Sequence, residues 1–182
     1  MNIKKGIRLI AIGFLFTLIN INVTVNEHVI NFMPDFVGWI LIGIACTKLG
    51  DYVKGKPFYM IGAILLGICN LAIALVTLFL PKMDITIYKT GVSVLTIIYV
   101  FALLTLIEKI GKDKEYKDAG SIRILKYVYL IVFILFQAMT FAASYLPVNV
   151  LAFIVSISGL TALVTAIITA VVLFRMSILM ED

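Results

Sequence analysis

Eight polar residues crowd a short stretch of an otherwise apolar chain: Asn20, Asn22, Thr24, Asn26, Glu27, His28, Asn31 and Asp35. His28 is the single histidine. A carboxylate near an imidazole can bind a cation, relay a proton or orient a substrate, because imidazole changes charge close to neutrality. Asn20, Asn22, His28 and Asp35 are therefore candidates for a ligand-binding pocket. Asn70 and Gln137 stand singly inside long apolar runs. An amide in such a run is costly unless it finds a partner, so both are candidate ligand-binding groups lying deeper. Plainer uses compete with these. Asp35, beside Pro34, suits the positive end of a helix, and Lys89, which shares a helical face with Ser93 and Thr96, can snorkel to headgroups.

Enzyme signatures are missing. There is no HExxH, no Cys–His pair within an apolar run and no acidic cluster. Ser156-Ile157-Ser158-Gly159 resembles the serine motif of rhomboid proteases, but the glycine preceding that motif is absent and the lone histidine lies far away in sequence. Cys46 and Cys69 both fall in apolar runs without CxxC or zinc spacing, and read as small hydrophobes. No catalytic residue, metal or cofactor is assigned.

The elements that must position these residues are helices in a bilayer. Of 182 residues, 63% are hydrophobic and 14% charged, and the mean hydropathy is +1.14. Soluble domains carry about 25% charge. A chain this short could not hide so much apolar surface from water, so lipid must be the solvent. A span takes about 20 apolar residues, and six segments qualify or come close: about 7–25, 34–49, 58–80, 85–107, 124–146 and 148–174. The expected fold is all-α: a polytopic integral membrane bundle of six transmembrane helices. The whole chain, 1–182, forms one transmembrane domain with no soluble domain. The second segment is short, so Asp35 either caps it at the headgroups or sits below them in a water-accessible vestibule.

Charge sets the orientation. With the N-terminus inside, Lys4, Lys5, Arg8, Lys48, Lys54, Lys56, Lys109, Lys112, Lys114, Lys117, Arg123, Lys126 and Arg175 fall on the inner side, against Lys82 and Lys89 outside. Basic residues in short loops favour the cytoplasm, so both termini are expected there, in a cell membrane. The net charge of +5 is thus a topology signal and does not point to nucleic acid. Small residues mark helix-packing faces: Ala63 and Gly67 on the third helix; Gly159, Ala162, Ala166 and Ala170 on the sixth.

Six helices, internal termini and a basic chain of this length resemble in size and topology the substrate-binding subunits of energy-coupling-factor vitamin transporters. Those subunits carry an Ala-xxx-Ala contact in the first helix, where this chain has Ala11 and Gly13, so no family is assigned. The expected function is that of a non-enzymatic multi-pass membrane protein, either a small-solute-binding or transport subunit or an accessory to a larger complex. Two alternatives stand beside it. One is an intramembrane enzyme acting on a lipid or lipid-linked substrate. The other is an immunity or assembly protein that docks on a membrane partner through the cytoplasmic loop 108–126. The partners expected are the bilayer, a small solute or lipid, and such a membrane protein. The lysine-rich, Ile- and Asn-rich composition fits a bacterial source.

Overall fold

The computed structural model describes residues 3–17, 21–25, 28–32, 35–49, 56–80, 83–116, 119–142 and 148–179. The elements run α1 (Ile3–Phe16), β1 (Ile21–Val25), β2 (His28–Phe32), α2 (Asp35–Lys48), α3 (Lys56–Phe79), α4 (Thr86–Asp113), α5 (Ala119–Ala142) and α6 (Val148–Leu179). Four of the six helices, α3 to α6, are long and apolar enough to cross a membrane. α1 and α2 have 14 residues each, or about 21 Å at the standard rise, short of the roughly 30 Å hydrocarbon core.

The largest departure from expectation lies after α1. A helix expected to reach residue 25 ends at Phe16, where Thr17 turns its hydroxyl onto the Phe14 carbonyl at 2.8 Å. The chain then forms an antiparallel hairpin in which Ile21 pairs with Phe32, Asn22 with Asn31, and Val25 with His28. The segment Ile21-Asn22-Val23-Thr24-Val25 is apolar enough to prolong a helix, but β-branched residues prefer extended backbone. The fold is thus helical with one small hairpin. At the other end, the expected loop is mostly helix: α4 runs on to Asp113 and α5 starts at Ala119. Between them Tyr116 N–H bonds the Gly111 carbonyl at 2.8 Å, and Glu115 takes φ 52°, the left-handed cap that ends many helices. Only a short turn of the proposed docking loop 108–126 is left outside helices.

Each helix packs chiefly on its neighbours in sequence, and α1 on α6 closes the ring. The first pair approaches very closely. A Cβ placed on Gly38 would lie 2.6 Å from the Gly13 carbonyl oxygen, and one on Gly13 would lie 2.8 Å from that of Gly38. Only glycine permits this crossing. Gly67 plays the same part between α3 and α2, where a Cβ would meet Trp39 Cβ at 3.3 Å and the Phe36 carbonyl at 3.4 Å. Ala63, Ala162, Ala166 and Ala170 are all buried.

The two ends of the bundle differ. Arg8 lies 5.3 Å over the Phe174 ring, Gly6 abuts Leu49, and Gly111 abuts both Met176 and Ala119. These contacts gather the start of α1 and α5 with the ends of α2, α4 and α6 at one end, here the basic end. The opposite end carries the hairpin. The continuous core of Ile7, Ile10, Ile42, Leu103, Leu104, Ile107, Leu173 and Met176 fills the basic-end half.

Candidate ligand chamber

A helix face buried along its whole length leaves no room for a ligand. Here the buried faces are buried for only half their length. On α4 the stripe Val100, Leu103, Leu104 and Ile107 is fully buried, but its continuation through Thr96, Ser93 and Val92 is only half-buried. On α5, Ile122, Leu125, Lys126 and Tyr129 are buried, whereas Phe133, Phe136 and Gln137 are half-buried. On α3, Ala63 and Leu66 give way to half-buried Asn70, Ala74 and Thr77. The change falls where the short helices α1 and α2 end and α3 to α6 run on past them.

A Cβ on Gly6 or Gly62, toward the basic end, or on Gly13 or Gly38, at the hairpin-side ends of α1 and α2, would come within 3 Å of a neighbour. On Gly91, which is exposed on the outward face of α4 with Val94 and Leu95, it would meet nothing within 4 Å, and on half-buried Gly159 it would meet, among the described residues, the Phe136 ring edge at 4.0 Å. Where the buried stripes give way to half-buried ones stands an aromatic cluster: Trp39 edge-on to Tyr99 at 5.6 Å, Phe14 edge-on to Tyr129 at 6.5 Å, and Tyr129 stacked on Phe133 at 4.1 Å. The Tyr99 hydroxyl donates to the Tyr59 carbonyl at 2.7 Å, with Cys46 Sγ 3.9 Å away.

Several polar groups border this region. Asp35 opens α2, and its Oδ1 is buried with no hydrogen-bond partner among the described residues. Asn70 lies one turn beyond Gly67, which touches Phe36 and Trp39. The antiparallel α2–α3 register therefore brings Asn70 level with Asp35. The Asn70 Nδ2 donates to its own helix at Leu66 O, 2.8 Å away, and Thr77 bonds Ile73 O likewise, so part of their capacity is spent locally. Gln137 lies on α5, away from the α2–α3 pair. Carrying the α4–α5 register outward from the Phe101–Tyr127 ring contact brings it level with Ser93. Among the described residues, Ser93, Thr96 and Gln137 make no side-chain hydrogen bond.

The other pocket candidates are distributed unevenly. Asn20 lies outside the described residues. Asn22 pairs with Asn31 at the base of the hairpin beside α2, and His28 pairs with Val25 at its tip. Three ladder steps, about 10 Å, separate Asn22 from His28, so the hairpin does not bring their backbones together. β2 lies along α3.

At the basic end stands a charge cluster that sequence reasoning passed over as loop. Glu108, almost fully buried, accepts from Lys126 Nζ at 2.6 Å and Arg123 Nε at 3.0 Å, and pairs with Lys112 Nζ at 2.6 Å. Lys126 is buried as well and lies 5.6 Å over the Phe101 ring. The i,i+4 spacing of Glu108 and Lys112 is a sequence signal for continued helix and marks the extension of α4. No group of three or more His, Cys, Asp or Glu residues that could hold a metal occurs among the described residues. No protein-family model, curated protein or solved structure matches the chain.

Proposed function

We propose that this chain is a non-enzymatic multi-pass protein of the cell membrane that binds a small ligand in the hairpin-end chamber, as a transport subunit or within a larger membrane complex. In this reading all six helices cross, α1 and α2 as short spans, and the basic end with both termini faces the cytoplasm. The observation that carries it is that the buried faces of α3, α4 and α5 become half-buried toward the hairpin end, where, among the described residues, Ser93, Thr96 and Gln137 make no side-chain hydrogen bond. Charge supports the orientation, since the basic end gathers Lys4, Lys5, Arg8, Lys48, Lys112 and Arg123, and such residues concentrate on the cytoplasmic side. The hairpin fits as well. A two-stranded sheet has edges with unpaired backbone groups, which hydrocarbon cannot satisfy, so it belongs at headgroup level or facing the chamber mouth. Asp35 and Asn70 would meet the ligand near the floor, with Gln137 and Ser93 across the chamber.

Native mass spectrometry of the protein purified in mild detergent tests this. A ligand retained by the wild type and lost in both Asp35→Asn and Gln137→Leu supports the reading. Retention unchanged in both variants, or wild-type protein that retains nothing, rejects it.

A further inference from the structure

We infer that the basic end of the α4–α5 pair holds the phosphate of an anionic bilayer lipid between Lys112 and Arg123. The inference needs α4 and α5 to cross the membrane and asks nothing of the hairpin end.

Its first support is a surplus of positive charge on a fixed frame. The Glu108 carboxylate meets three cations, but only Lys126 is buried with it. That pair is neutral and held in place: Lys126 Nζ takes Oε2 at 2.6 Å and lies 5.6 Å over the Phe101 ring and 5.2 Å over that of Tyr127. Lys112 and Arg123 share the other oxygen, Oε1, at 2.6 and 3.0 Å, with side chains 49% and 58% exposed. Two like charges are thus drawn to one carboxylate whose own charge Lys126 already answers. Among the described residues no second acid pairs with either. Arg123 gives Oε1 its Nε alone, so among the described residues its terminal nitrogens make no hydrogen bond, and they form the fork that suits a phosphate. Gly111 abuts Ala119, which sets Lys112 level with the first turn of α5, whose orphan N–H groups favour an anion as well.

The second support is depth. Directly beyond Arg123, α5 turns Ile124, Tyr127, Val128 and Ile131 outward, and α4 turns Ile98 outward beside them. Both helices are long and apolar enough to cross a membrane, so this face meets hydrocarbon. Arg123 stands at its edge, which is headgroup depth. The anion at that depth is lipid phosphate, and its acyl chains can lie along Ile124, Val128 and Ile131. A soluble phosphate gains nothing from that apolar face. A zwitterionic headgroup brings its own cation, which the surplus charge repels.

The test gives the full chain, purified in mild detergent, an equal mixture of phosphatidylglycerol and phosphatidylcholine with the same acyl chains. Native mass spectrometry counts the lipids retained. The expected result is a preference for phosphatidylglycerol that falls about fivefold for each cation removed, in Lys112→Gln and then in Lys112→Gln, Arg123→Gln. Both variants keep Lys126 on Glu108, and a thermal midpoint unchanged in the absence of lipid shows that they fold; Lys112→Gln carries the test alone should the double variant not fold. Lys5→Gln, Lys48→Gln removes as much charge from the same end and should keep the preference. Equal retention of the two lipids by the wild type overturns the inference, as does a preference that survives in Lys112→Gln, Arg123→Gln. A loss as large in Lys5→Gln, Lys48→Gln overturns it too, because the attraction is then diffuse surface charge. Inorganic phosphate separates the remaining source: if it raises the wild-type thermal midpoint as much as phosphatidylglycerol does, the site takes a soluble anion and not a lipid.

Discussion

Two residues carry polar work whose loss is easy to predict. The Glu108 carboxylate is almost fully buried and faces Lys112, Arg123 and Lys126, and Lys126 is buried with it. Removing one partner of such a cluster leaves an uncompensated buried charge. Glu108→Ala should therefore destabilise the protein by about 3 kcal/mol, read as a lower midpoint of thermal unfolding in detergent. Adding Lys126→Met should recover most of that loss, because it removes the stranded charge and keeps the aliphatic stem against Phe101. If the double variant is no more stable than the single one, Lys126 is not the group left stranded. Tyr99 works on a smaller scale. Tyr99→Phe keeps the ring against Trp39 but gives up the 2.7 Å bond to the Tyr59 carbonyl, a loss of about 1 kcal/mol by the same measurement. Asp84 is a simpler case: the Thr86 N–H, 2.9 Å from Oδ1, holds its carboxyl below the usual carboxylate range and fixes the entry to α4.

At the scale of elements, glycines separate a close helix crossing from an open helix face. Gly38→Ala drives a Cβ into the Gly13 carbonyl and Thr17 and should cost about 3 kcal/mol or more, since neither neighbour is a flexible side-chain end. Gly91→Ala should stabilise by up to about 1 kcal/mol, because it replaces glycine inside a helix with nothing in the way. The opposite signs are the prediction, and thermal unfolding of the two variants side by side reads them. The elements were partly legible in advance. Long uninterrupted runs such as 58–80 and 148–174 declared α3 and α6, because a helix that must satisfy its own backbone in lipid leaves a continuous apolar signature. The end of α1 was not legible from hydropathy, since Ile21, Val23 and Val25 count as apolar in either conformation. The alternation of Asn20, Asn22 and Thr24 with β-branched residues was the available signal, and it reads as strand rather than helix. The α4–α5 turn was hidden for the opposite reason: Lys109, Lys112 and Asp113 look like loop by charge, yet Glu108 and its cations hold the helix past the apolar run.

At the scale of the whole molecule, the small residues of α3 and α6 stand out along the chain, but the order of helices around the ring does not. That order decides which polar residues meet. It puts Asn70 level with Asp35 and Gln137 level with Ser93, pairings that no spacing along the chain encodes. The two short helices have a further consequence. If the ring is closed at the basic end and open at the hairpin end, and the basic end lies in the cytoplasm, the two ends should differ in access from the two sides of the membrane. In a Cys46→Ala, Cys69→Ala background, Met83→Cys before α4 should react with an impermeant maleimide added outside intact cells, whereas Glu115→Cys in the α4–α5 turn should react only after the cells are opened. Met83 and Glu115 are both exposed, so poor access to the side chain would not explain a silent site. With α1 crossing, an odd number of spans after it is required for this pattern together with both termini inside. If Met83→Cys is silent in intact cells and Glu115→Cys reacts, the basic end faces outward, and the asymmetry of lysines and arginines reflects a partner at that end rather than the direction of insertion. If both react in intact cells, α4 does not cross, and the chamber is a groove on one face of the membrane rather than a cavity within it.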